Sequence, residues 1–74
     1  MNLVIGNNSF TKRDVVDPNK TIIQLCDEFG VDYTHGATML NGVTLSPAQM
    51  EMSLVELGCR ETCSIFNLAK LNNA

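Results

Sequence analysis

The apolar positions of this chain fall into five short runs and one helical stripe. Leu3-Val4-Ile5 is the first run, and the turn formers Gly6-Asn7-Asn8-Ser9 follow it. Phe10 to Val16 is the second, with Thr11, Val15 and Val16 supplying β-branched residues. Together they predict an N-terminal hairpin. Asp17-Pro18-Asn19 ends it, because proline cannot donate to a ladder and restricts the residue before it. The period then changes. Ile22, Leu25, Cys26 and Phe29 recur at the spacing of one helix face. Thr21, with Gln24 three residues later, makes a capping-box pattern, and Gly30 stands where a left-handed residue closes a helix. A helix over Ile22 to Phe29 is predicted, with Cys26 as a small buried hydrophobe in its stripe.

Val31 to Gly36 reads as a connection. Ala37 to Leu40 is a third strand, and Val43-Thr44-Leu45 a short fourth one. The Asn41-Gly42 pair between them is the strongest short-range hairpin signal in the chain. Ser46-Pro47-Ala48-Gln49 is a second capping box with proline at the first helical position, which predicts a short helical turn near 47–52. Leu54, Val55 and Leu57 are expected to pack a loop against the core before Gly58 turns the chain. Cys63 to Leu71 is the last strand. Phe66 and Leu68 point one way and Ile65 and Leu71 the other, an imperfect alternation that suits a central strand. This order predicts an α+β fold: a mixed sheet of four to five strands, crossed on one face by the helix. The first and last strands are expected to be parallel neighbours at its centre.

Seventy-four residues make one domain, 1–74, with no repeat or linker. With three Phe, one Tyr and no Trp, its core must be mostly aliphatic. The net charge is −3, and Lys12, Arg13, Lys20, Arg60 and Lys70 are scattered rather than gathered into a stripe. That argues against nucleic acid and against an anionic membrane as partner. No apolar run approaches the ~20 residues of a membrane span, and Met1 to Gly6 lacks the basic n-region of a signal peptide. The expectation is a full-length cytoplasmic protein.

Cys26, Cys59 and Cys63 form no Cys-x-x-Cys pair, so they read as reduced thiols. His35 with Cys59 and Cys63 falls short of the ligand set of a structural zinc site, and neither metal nor cofactor is assigned. His35 is the one histidine and reads as a surface loop residue. No nucleophile triad, phosphate-cradling glycine loop or metalloprotease motif appears, so the chain is not read as an enzyme. Cys59 beside Arg60 is the position where a reactive thiol has an argument, against the simpler reading of an inert one.

The order and spacing of Thr21-Ile22-Ile23-Gln24-Leu25, Phe29-Gly30, Met39-Leu40-Asn41-Gly42, Leu45-Ser46-Pro47 and Leu57-Gly58 resemble the ubiquitin-like β-grasp superfamily. Within it the chain looks most like the sulfur-carrier proteins of thiamine and molybdopterin synthesis. The resemblance covers nearly the whole chain. Two positions depart from it: Cys59 stands where the family has an acidic residue, and Asn72-Asn73-Ala74 replaces the terminal Gly-Gly. Glycine suits a tail threaded into an activating enzyme because it lacks a Cβ. The resemblance therefore implies the fold and argues against carrier chemistry.

The reading that follows is a small non-enzymatic module that docks a protein partner non-covalently. The resemblance implies that docking uses the solvent face of the later strands, here Ala37, Met39, Phe66, Leu68 and Lys70. Met39 has two open readings, an adaptable docking residue or a gap filler in a core poor in aromatics. Met50 and Met52 read as core. The alternatives are a carrier or modifier with an atypical tail at Asn72, Asn73 and Ala74, and a thiol redox or metal-responsive protein using Cys59, Cys63 and His35.

Overall fold

A computed structural model of the chain describes residues 1–68. Five strands, β1 (Asn2–Asn7), β2 (Thr11–Val15), β3 (Ala37–Leu40), β4 (Val43–Thr44) and β5 (Thr62–Leu68), form one mixed sheet in the order β2-β1-β5-β3-β4. β1 and β5 are parallel and central, with Leu3 opposite Cys63 and Ile5 opposite Ile65. The flanking pairs are antiparallel. Helix α1 (Ile22–Phe29) crosses one face, and the short helix α2 (Pro47–Met50) closes the end beside it. This is the ubiquitin-like β-grasp arrangement that the order of apolar runs predicts.

The core lies between α1 and the sheet. Ile22, Leu25 and Cys26 from the helix meet Leu3, Ile5, Leu40, Cys63 and Ile65 from the strands, with Val31, Met50 and Leu54 closing the sides. Both expected capping boxes form. The Thr21 hydroxyl accepts from the Gln24 N–H while the Gln24 side chain accepts from the Thr21 N–H, and Ser46 and Gln49 do the same. Gly30 closes α1 at φ 74°, with the Val31 N–H donating to the Cys26 carbonyl at 2.8 Å and Val31 folded into the core.

A third capping box, unread in the sequence, spans Ser53 to Glu56: each backbone N–H donates to the other's side chain. The turn it starts ends at Gly58 with the same double closure as α1, from the Gly58 N–H to Val55 and the Cys59 N–H to Leu54. The turn buries Leu54 completely and half-buries Leu57. Val55 was expected to pack inward, but it is 52% exposed. Its N–H donates to the Pro18 carbonyl, so a single turn anchored through Leu54 faces Val55 outward.

Several boundaries differ from the hydrophobic pattern: β4 ends at Thr44 without Leu45, β5 begins at Thr62 rather than Cys63, and β1, β2 and α2 shift as well. Gly6 and Asn7 belong to β1 rather than to the turn. The Asn7 side-chain oxygen accepts from the Ser9 and Phe10 N–H groups, and the Asn7 N–H donates to the Phe10 carbonyl, so the reversal shrinks to Asn8-Ser9. Phe10 and Val16 therefore flank β2 instead of belonging to it. α2 stops at Met50, although a turn continues to Met52 through its bond to Gln49. The stretch of the last strand expected beyond Leu68 lies outside the described residues.

β2 is an edge strand exposed along its whole length, and Lys12, Arg13 and Asp14 occupy its middle. The Asp14 carboxylate accepts from the Val15 N–H at 2.7 Å, covering a donor that an edge would otherwise offer to another chain.

Candidate docking face

Strand alternation divides the sheet into two faces with different duties. Leu3, Ile5, Leu40, Cys63 and Ile65 point toward α1, so their neighbours point away from it. The register then sets Met39 directly opposite Phe66 and Ala37 opposite Leu68. All four of these sequence-predicted residues share the helix-free face. Ala37, Met39 and Phe66 are half-buried and Leu68 is 40% exposed. Lys70, Asn72, Asn73 and Ala74 lie outside the described residues.

The structure adds residues to this face that the sequence reading passed over. Gly6 stands opposite Phe66 across the parallel pair, and Val4 stands opposite Ser64 and, on its other side, Arg13. Val15 pairs with Asn2 and is 70% exposed. A shallow depression of about 410 Å³ at the β1–β2 edge is lined by Asn2, Val4, Arg13, Val15 and Thr62, and also by Leu3 and Asp14 of the opposite alternation. The alternation of Leu3-Val4-Ile5 held the signal for Val4. The place of Val15 needed the pairing of β2 with β1. Among the described residues, Arg13 is the one charged side chain at a strand position of this face, on a protein whose net charge is −3. The face thus mixes apolar side chains, densest where Met39 meets Phe66, with the small polar Thr44, Thr62 and Ser64, and it has a cation at one flank.

Asn41 fixes the ladder beside it. Asn41 and Gly42 have φ of 50° and 84°, the two left-handed residues of a tight hairpin turn. The Asn41 N–H donates to the Ser64 carbonyl at 2.8 Å, and its side-chain oxygen accepts from the Ser64 N–H at 2.9 Å. The side chain takes the place of the main-chain carbonyl that the turn carries away.

The other candidate groups are dispersed. The His35 carbonyl accepts from the Asn67 side chain at 2.8 Å, at the far end of β5 from Cys63. Four residues of strand separate Cys63 from Asn67, or roughly 13 Å. His35 and the two cysteines are therefore not brought together. Asp32, beside His35 in the loop, has its carboxyl held below the usual carboxylate range, first by the Thr34 hydroxyl and then by the Thr34 N–H. Cys26 is buried, and desolvation with the Asp27 charge pushes its thiol up to about 11. Cys63 is pushed up to about 12, mainly by burial and then by Cys59. A cleft of about 390 Å³ between α1, β3 and α2 is lined by Ile23, Tyr33, Thr38, Leu45, Pro47 and Met50, without a convergent set of titratable groups.

The chain is similar over its whole length to the ubiquitin-like domain of an Arabidopsis thaliana protein solved by solution NMR. The TM-score is 0.67 at 22% identity, and 81% of that chain is covered. A second structure of the same Arabidopsis protein, determined from evolutionary couplings and sparse NMR data, matches with a TM-score of 0.60 at 23% identity. It covers 100% of this chain and 92% of that one. No protein-family model matches the sequence, and no curated protein does. The likeness is one of fold: this chain has the β-grasp fold of those structures.

Proposed function

We propose that this chain is a ubiquitin-like module that binds a protein partner non-covalently through the helix-free face of its sheet, centred on Met39 and Phe66. The observation that carries this reading is the register that sets Met39 against Phe66 and Ala37 against Leu68, on the face the core does not use. An apolar band of this kind gains from being covered, at roughly 25 cal/mol per Å² removed from water. Arg13 at its flank favours a partner that presents an apolar anchor beside a carboxylate. The reading gives the module no catalytic step and no cofactor.

Capture from lysate of the native cell tests it, with the wild-type chain, Met39→Asp and Lys20→Glu as baits. Lys20 lies on the opposite side of the molecule, in an exposed pair with Glu28, so its reversal is the control. The expected result is a discrete partner held by wild type and Lys20→Glu and lost by Met39→Asp, with all three baits folded by circular dichroism. A partner retained by Met39→Asp would remove this face from consideration.

A further inference from the structure

We propose that Asn41 is a self-modification site that the fold holds in check: its side-chain amide is converted to aspartate and isoaspartate when the β3–β4 hairpin opens, and the closed hairpin blocks the reaction. This inference is independent of the docking face.

Asn41 is the one asparagine of the chain that is followed by glycine. The reaction begins when the backbone nitrogen of the next residue attacks the asparagine side-chain carbon, and a glycine there has no side chain to screen that nitrogen. Asn41 and Gly42 are both exposed, and a Cβ at Gly42 would meet nothing within 4 Å, so water and base reach the turn. Geometry, not access, is what holds the amide back. The φ values of 50° and 84° are those of a type I′ turn, whose first central residue has a ψ of about +30°. That ψ places the Gly42 nitrogen almost opposite the Asn41 Cβ about the Cα–C bond. The side chain is held as well. Its Oδ1 accepts from the Ser64 N–H at 2.9 Å, while the Asn41 N–H donates to the Ser64 carbonyl at 2.8 Å. Ring closure therefore needs the side chain freed from Ser64 and the backbone rotated out of the turn, which parts Leu40 from Val43. β4 is two residues long at the edge of the sheet, so its opening costs less than unfolding of the core.

The chemistry is a cyclisation followed by a hydrolysis. The Gly42 nitrogen gives up its proton and bonds to Asn41 Cγ, the Cγ–Nδ2 bond breaks, and ammonia leaves with that proton. Water then adds to one of the two carbonyl carbons of the cyclic imide, and the bond from that carbon to the Gly42 nitrogen breaks. Cleavage at Cγ gives aspartate, and cleavage at the main-chain carbonyl gives isoaspartate. Either way one water is gained and one ammonia is lost, with no oxidation or reduction. Aspartate leaves an Asp-Gly pair that suits the same turn, with a carboxylate to accept from the Ser64 N–H. Isoaspartate carries an extra methylene in the main chain, so the two-residue loop no longer fits between Leu40 and Val43. The conversion is thus a lasting record that the hairpin has opened.

The test uses the full wild-type chain, kept reduced in mildly alkaline buffer, in parallel with the same chain unfolded in urea. A glutamate-specific protease releases residues 29–51, in which Asn41 is the one asparagine, so the modified peptide identifies the site. In urea this peptide is expected to gain the mass of one water and lose that of one ammonia before any peptide carrying another asparagine does, and to split into aspartyl and isoaspartyl forms on chromatography. In native buffer the same conversion is expected to run roughly tenfold or more slowly, because the open hairpin is a minor state. Gly42→Ala, compared in urea so that folding plays no part, is expected to slow it severalfold. After return to native buffer, the isoaspartyl chain is expected to lack the β3–β4 amide shifts that the aspartyl chain recovers. Equal rates in native buffer and in urea would overturn the proposal, as would a first conversion at another asparagine or an isoaspartyl chain with the wild-type hairpin shifts.

Discussion

Replacing Gly6 by alanine tests the tightest point of the N-terminal hairpin. A Cβ at Gly6 would stand 2.2 Å from the Phe10 carbonyl oxygen and 2.9 Å from the Thr11 Cα, where ordinary contact begins at 3.4 Å. The obstacle is backbone, and it is pinned. The Phe10 carbonyl accepts from the Asn7 N–H at 2.9 Å, and the Phe10 N–H donates to the Asn7 side chain at 3.1 Å. Relieving the overlap moves the start of β2 by about 1 Å and loosens both bonds, an overpacking cost of roughly 1–3 kcal/mol. The opposing effect has the other sign. Where the backbone is compatible, alanine for glycine stabilises by about 0.4–1 kcal/mol, because the unfolded chain loses freedom. Gly6 does not need a positive φ, so the outcome turns on sterics alone. The net expectation is a loss of about 1–2 kcal/mol, which for a domain this small lowers the midpoint of thermal unfolding by roughly 5–15 °C. Urea and thermal unfolding by circular dichroism measure it, with hairpin amide shifts as a local readout. A Gly6→Ala protein as stable as wild type, or more so, would show that the closure between Asn7 and Phe10 is not as tight as the geometry requires.

The Lys12 ammonium donates to the Phe29 carbonyl at 3.2 Å, at the C-terminal end of α1, and sits 4.8 Å from the Phe10 ring centre. Lys12→Met should therefore cost about 0.5–1 kcal/mol in urea unfolding at low salt, and less at high salt. Asn41→Ala removes the acceptor for the Ser64 N–H and puts a residue without a polar side chain at φ 50°, so a loss of about 1–2 kcal/mol is expected by the same assay. Cys26 and Cys63 have thiols raised above their ordinary value of 9.0, to about 11 and about 12. Their neutral forms are favoured in the folded state. The stability they contribute is complete below pH 9.0 and lost as pH rises toward those folded values. Under reducing conditions the urea midpoint should fall between about pH 8 and about pH 10.5, and the fall should be shallower in Cys26→Ala. An identical slope in that variant would contradict the assignment.

The sequence made the elements legible wherever local chemistry sets them. Thr21 with Gln24, Ser46 with Gln49 and Asn41 with Gly42 each specify a backbone geometry through groups a few residues apart, and each forms as its pattern predicts. The failures have a different character. Ser53-Leu54-Val55-Glu56 carries the same capping pattern, but Leu54, Val55 and Leu57 drew the reading toward a packed loop. Which of three apolar residues goes inward in a single turn depends on Thr21 pairing with Ser53 and on Pro18 accepting from Val55, contacts made across more than thirty residues. At Asn7 a turn-forming residue stays in the strand, because its side chain folds back to serve the turn while its backbone continues the ladder. The candidate face was half legible. Alternation along β3 and β5 groups Ala37, Met39, Phe66 and Leu68, and the resemblance singled out their face for docking, while Arg13 and Val15 join them through strand pairing that one sequence does not state.

The two faces of the sheet can be separated energetically, and that separation bears on function. Leu3, Ile5, Ile65 and Leu54 are at most 1% exposed, so truncating one to alanine should cost about 2–5 kcal/mol, a large share of what a small domain holds. Met39 and Phe66 face the other way and make no part of the buried cluster. Phe66 stands opposite Gly6, where close approach by the Phe10 backbone forbids a side chain, so its ring borders a bare stretch of strand. Folding demands little of these positions beyond strand propensity, and polar residues such as the neighbouring Ser64 and Thr44 would satisfy it at less cost in exposed apolar surface. The proposed docking face gives an aromatic and a methionine at half burial a role that the core does not, beside the one arginine at a strand position of that face among the described residues.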